Sequence, residues 1–135
     1  MPQIAFHNPQ TLGQPLGQYS QIARVKTSEL LFIAGQVATN REGKLVGAHD
    51  FDAQCGQVFA NIEAALQSQG ASLANVVEFT TYLVHSQDIA AFMAFRLREF
   101  PRLFPSGKYP PNTLLIIDRL VQEGFLVEVH TVAAI

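Results

Sequence analysis

The feature that most narrows the folds open to this chain is a change of hydrophobic period in its middle. Apolar residues return at helical spacing at Phe51, Cys55, Val58, Phe59, Ile62, Ala65 and Leu66, with Asp50 placed as an N-cap and Gly70 as a C′ glycine. A run of β-branched and aromatic residues follows from Val76 to Val84. It puts Val77, Phe79, Thr81 and Leu83 on one side, Glu78 and Tyr82 on the other. A segment of one period cannot bury its apolar side in the other conformation, so the chain holds both helix and strand.

The flanking segments extend the pattern. A second helix is predicted after a cap near Ser86 or Asp88, with Ile89, Phe92, Met93, Leu97 and Phe100 on one stripe and Pro101 close to its end. An irregular opening carrying Pro9, Gly13, Pro15 and Gly17 leads into Tyr19–Lys26, which alternates in strand fashion. With Leu30–Ala34 this segment predicts a hairpin across Thr27–Glu29. The Pro- and Gly-bearing stretch from Phe104 to Pro111 is a loop, and strands are expected at Thr113–Ile117 and Phe125–Val132. The order is β-β-(β)-α-β-α-β-β: one α+β domain over residues 1–135, two helices covering one face of a mixed sheet. Phe125, Leu126, Val127, Val129 and Val132 place apolar groups on both sides of the last strand. Two helices cannot cover both sides, so a homo-oligomer that buries the second face is expected.

Composition removes several classes. Of 135 residues, 48% are hydrophobic and 15% charged, enough for a core and too apolar for disorder. Nine Lys and Arg against eleven Asp and Glu give a charge of −2, which supplies no footprint for nucleic acid. The single cysteine, Cys55, can form no intrachain disulfide and lies on the apolar helix stripe, where a packed thiol is the ordinary outcome. The opening Met1–Asn8 lacks the pattern of a secretory signal, and the apolar run Leu114–Ile117 is far short of the roughly 20 residues that span a bilayer. A cytoplasmic protein without membrane contact is expected.

No GxSxG, phosphate-binding loop, dinucleotide fingerprint, HExxH or EF-hand motif is present, and His7, His49, His85 and His130 are too scattered to suggest a metal site. Glu128 and His130 stand two apart on the last strand and so share a face, with Leu126 and Val132 beside them. In an apolar setting such a carboxylate is driven toward general acid or base work. On a wet sheet edge the two are simply a solvated pair, and pattern alone favours the second. Tyr19 and the Gly35-Gln36 pair read as amphipathic packing and a strand bend.

Particular residues in a particular order say more. Gly17-Gln18-Tyr19-Ser20-Gln21, Leu31-Phe32-Ile33-Ala34-Gly35-Gln36, Gln54 with Asn61, and Val127-Glu128-Val129-His130-Thr131-Val132-Ala133 together resemble the RidA family (YjgF/YER057c/UK114), over nearly the whole chain. The resemblance implies a chorismate-mutase-like (bacillary type) fold and a homotrimer with small-molecule clefts between subunits. It also implies hydrolysis of reactive enamines and imines to carbonyl compounds and ammonia, with no metal or organic cofactor. Carried over by position, Glu128 is the catalytic residue that handles water, and Tyr19, Gly35 and Gln36 match the substrate site. Other positions differ from the family pattern. Asn112 stands where an arginine would bind the substrate carboxylate, Ala34 where a serine is usual, Leu114 for a cysteine, Met93 for an asparagine and His130 for a second acid. A charge-assisted bond to a carboxylate contributes about 1.5 to 3 kcal/mol, and Asn112 cannot replace that charge. Arg24, Arg96 and Arg119 are the other cations considered for it. An imine deaminase of altered specificity is the first expectation, a noncatalytic ligand-binding trimer the alternative, and RNA cleavage ranks last.

Overall fold

The computed structural model describes residues 1–135. In chain order the elements are β1 (Gln3–His7), β2 (Ile22–Lys26), β3 (Leu30–Gln36), α1 (Phe51–Gln67), a 3₁₀ turn (Leu73–Asn75), β4 (Val76–Leu83), α2 (Asp88–Leu103), β5 (Asn112–Ile116) and β6 (Val127–Ala134). Four strands form a mixed sheet in the order β3-β6-β4-β5, with β4 and β5 parallel and β6 antiparallel to both of its neighbours. β1 and β2 form a separate antiparallel ribbon. The α+β class holds, and three strands precede α1, but the additional one opens the chain as β1 rather than following β3.

Three expectations about the sheet need correction. The opening residues are not irregular throughout, because Gln3–His7 is a strand paired residue for residue with Ile22–Lys26. The 22–26 strand therefore does not form the expected hairpin with Leu30–Ala34. Its partner is β1, while β3 pairs with the last strand. The last strand is not an edge: β6 lies between β3 and β4, and its span is Val127–Ala134 rather than Phe125–Val132.

Both helices lie on one side of the four-stranded sheet. Asp50 caps α1 as expected, its Oδ1 accepting from the Ala53 N–H at 3.0 Å. Gly70 has φ +71°, the left-handed conformation that closes the turn after the helix. α2 begins after Gln87, which makes no side-chain cap, and carries Pro101 in its last turn, where it removes one i→i−4 hydrogen bond close to the helix end. Its buried side is Phe92, Phe95, Arg96 and Phe100, whereas Ile89 and Leu97, expected on the apolar stripe, face outward. Phe95 draws the stripe round by stacking on Phe59, ring centroids 5.6 Å apart. Phe59 also stands edge-on to Phe79 at 5.6 Å and to Phe100 at 5.4 Å, so one aromatic cluster joins both helices to the sheet. Cys55 is fully buried in this core, as its place on α1 predicts. Burial first, and then the Asp52 and Asp88 carboxylates, push its thiol pKa well above the ordinary value. No helix is long and apolar enough to cross a membrane.

Candidate functional site

The site begins with the alternation of β6. Val127, Val129, Thr131 and Ala133 are buried toward the helices, while Glu128, His130 and Val132 are half-buried on the opposite face. The neighbouring strand departs from regular pairing at the same level. Ile33 pairs with Thr131 and Gln36 with Val129, so Ala34 and Gly35 together oppose His130 in a β-bulge. The Gln36 side chain folds back and donates through Nε2 to the Ala34 carbonyl at 3.0 Å, clasping the bulge.

Gly35 is a cradle. A Cβ there would run into Glu128 Oε2 and stand 2.6 Å from its Cδ and 2.8 Å from its Cγ, so the Glu128 side chain lies directly over bare backbone. Tyr82, its register partner on β4, is half-buried beside it. Glu128 takes part in none of the ion pairs, which join Arg98 to Asp52 and Glu99, Arg102 to Glu99, and Arg119 to Glu123. Its carboxylate lone pairs are thus free to accept from a water or a ligand. Glu128, His130, Gly35, Gln36 and Ala34 are brought together, and the wet sheet edge considered from pattern does not exist at a central strand.

The remaining expected site residues lie elsewhere. Asn112 opens β5 level with Phe79, and its Oδ1 accepts a 2.7 Å hydrogen bond from the buried Thr81 hydroxyl. Leu114 follows on the same side, packed against the core. Met93 and Tyr19 meet around Arg96: the Met93 sulfur is 3.0 Å from Arg96 Nη2, and the guanidinium lies 5.7 Å from the Tyr19 ring centroid. Within one chain, the Glu128 group and the Asn112 and Tyr19–Met93 groups occupy opposite sides of the sheet. One cavity of about 200 Å³ lies between β1 and the end of α2, lined by Ile4, Phe6, Leu73, Leu103, Phe104 and Lys108.

Two motif residues turn out to be structural. Gln54, fully buried, donates to the Gly47 and Gly124 carbonyls at 3.1 and 2.8 Å and accepts from the Leu126 N–H at 2.9 Å. Asn61 donates to the carbonyls of Val37 and Thr39 at 3.1 and 3.0 Å. They hold the connections that enter β6 and leave β3, and thereby the strands that carry Glu128 and the bulge. Thr81 was overlooked as the partner of Asn112. Its signal was a hydroxyl set between Phe79 and Leu83 on an otherwise apolar strand face.

The four-stranded sheet in the order β3-β6-β4-β5, with two helices on one side, is a fold this chain shares with a solved structure of the Rid family. Residues 10–135 match the family described as endoribonuclease L-PSP. A RutC family protein of Pyrococcus abyssi is 30% identical over 120 residues, covering 89% of this chain and 88% of that protein. A 2-iminobutanoate/2-iminopropanoate deaminase of Dermatophagoides farinae is 26% identical over 115 residues, covering 80% of this chain and 88% of that protein. Among solved structures, YyfB of Yersinia pestis, a protein of unknown function of the conserved Rid family, superposes with a TM-score of 0.87 at 30% identity, covering 98% of both chains. The chain belongs to the RidA family.

Proposed function

We propose that the protein is a homotrimeric deaminase that hydrolyses a reactive imine or enamine to a carbonyl compound and ammonia, with a specificity altered at position 112. The observation that carries this is Glu128, held over Gly35 with no cation beside it. A carboxylate so placed accepts a proton from water as the oxygen adds to the C=N carbon. The carbinolamine then expels ammonia, so one imine and one water yield one carbonyl compound and one ammonia. The name of the mite relative, an imine deaminase, supports the reaction class. Asn112 offers an uncharged amide, so a carboxylate adjacent to the C=N bond has no cationic partner at that position.

The splitting of the site residues between two sides of one sheet supports an assembly, since a cleft joining Glu128 to Asn112 and Tyr19 needs a second copy. The half of the sheet that the helices leave bare supports it too, with Phe32 71% exposed. The test is ammonia release from imines generated in situ. Glu128→Ala is expected to lose turnover by about a hundredfold or more, and Asn112→Arg to gain on imines carrying an adjacent carboxylate but not on neutral ones. Saturable ligand binding with no turnover in any of the three proteins would move the reading to a noncatalytic ligand-binding trimer.

A further inference from the structure

Arg96 is the one charged side chain buried in the core, with 2% of its surface exposed. Its Nε and Nη1 have no hydrogen-bond partner, so three of its five N–H donors are unanswered. The remaining nitrogen meets only the Met93 sulfur at 3.0 Å. No carboxylate lies within ion-pair distance; the guanidinium sits instead 4.8 Å from the Phe92 ring centroid and 5.7 Å from that of Tyr19. Aromatic faces attract the cation but accept none of its in-plane hydrogen bonds. A buried charge without an acceptor is strongly unfavourable unless something supplies one.

What covers Arg96 is the segment between β1 and β2. Gly17 lies against it so closely that a Cβ there would stand 3.0 Å from Nη2 and 2.7 Å from Met93 Cε. From Asn8 to Tyr19 this strap contains no helix or strand. Its hydrogen bonds run within itself or to Gln21 at its end: Leu12 N–H to the Pro9 carbonyl, Tyr19 N–H to the Gly17 carbonyl, Leu16 N–H to the Tyr19 hydroxyl, and Gln21 to Asn8 and Gly13. The first tie to the body is at Ser20, whose hydroxyl donates to the Tyr109 carbonyl at 2.6 Å. The strap can therefore lift as a unit without breaking a hydrogen bond to the sheet or helices.

We propose that Arg96 is an oxyanion receptor beneath the 8–19 strap and that its ligand is the carboxylate of a small organic acid. A carboxylate supplies acceptors in the plane of the guanidinium, and the rings of Phe92 and Tyr19 with Met93 give an apolar surround suited to a short carbon chain. The inference shares with the proposed function the view that Tyr19 and Met93 face ligand, but it needs no turnover. The anionic anchor is moved from strand β5, where Asn112 stands, to helix α2.

The test titrates the protein with pyruvate, its uncharged methyl ester and inorganic phosphate, following the side-chain Nε–H resonance of Arg96 and the heat of binding. Saturable movement of that resonance by pyruvate alone is expected, with pyruvate affinity about tenfold or more weaker in Arg96→Met. Arg102→Met, at an exposed arginine paired with Glu99, should bind pyruvate as before. Equal response to the ester, saturation by phosphate alone, or pyruvate binding indifferent to Arg96 would each overturn the proposal. Should Arg96→Met not fold, Arg96→Lys provides the resonance assignment and the wild-type titration decides. Arg96-dependent binding without any ammonia release upholds the receptor and removes the deaminase; ammonia release with binding indifferent to Arg96 does the reverse.

Discussion

Gly35 and Cys55 show how much can rest on one residue. The place of a Gly35 Cβ is already taken by the Glu128 carboxylate, the movable end of a side chain. Gly35→Ala should therefore cost less than about 1 kcal/mol in stability, yet lower kcat by on the order of tenfold to a hundredfold by displacing the carboxylate. Thermal unfolding and ammonia release on the same preparation check the pair of outcomes. Cys55 makes a statement about pH. Its folded pKa is raised by burial, so above the ordinary thiol pKa the unfolded chain releases a proton that the folded chain keeps. Stability is then lost as pH rises, by about 1.4 kcal/mol per pH unit from this group. Denaturant titrations between neutral and alkaline pH should show a slope smaller by that amount in Cys55→Ala, and the native thiol should be inert to aromatic disulfide reagents.

At the scale of the element, α1 and α2 behave differently. α1 was legible in full: its apolar spacing, the Asp50 cap and the left-handed Gly70 are local features, and local features are written in neighbouring residues. α2 was legible as a helix but not in its orientation, because Phe95 turns inward to meet Phe59, a partner far away in sequence. The pairing of β2 failed for a related reason. Short separation favours a hairpin between Ile22–Lys26 and Leu30–Gln36, but β1 presents five consecutive partners and takes the strand. The bulge left its trace only as Gly35-Gln36, and its meaning depends on a carboxylate more than ninety positions away. Gln54 is the element-scale residue to test. Gln54→Ala leaves the Gly47 and Gly124 carbonyls and the Leu126 N–H without this partner, and should destabilise the chain by about 3 kcal/mol in a denaturant melt.

For the whole molecule, family and architecture were legible, whereas the distribution of the site was not. Motifs record which residues matter and their order; which side of a sheet each one reaches follows from strand pairing. The structure sets Glu128 and Asn112 on opposite sides, and the proposed trimer is the arrangement that reunites them. Phe32→Asp on the bare side places a charge where a partner's apolar surface would sit, and is expected to reduce the mass seen by sedimentation to that of one chain, with turnover lost in parallel. An unchanged mass would remove Phe32 from any interface.

The central position of β6 also sets an order of events in time. The strand that is last in sequence lies between β3 and β4, so the two halves of the main sheet have nothing between them until Val127–Ala134 has been made. During synthesis the helices and the outer strands emerge first and wait, and the glutamate arrives with the piece that joins them. A chain that stops short of its final strand loses both the carboxylate and the seam of the sheet. The carboxylate and the completed sheet are thus gained in the same step.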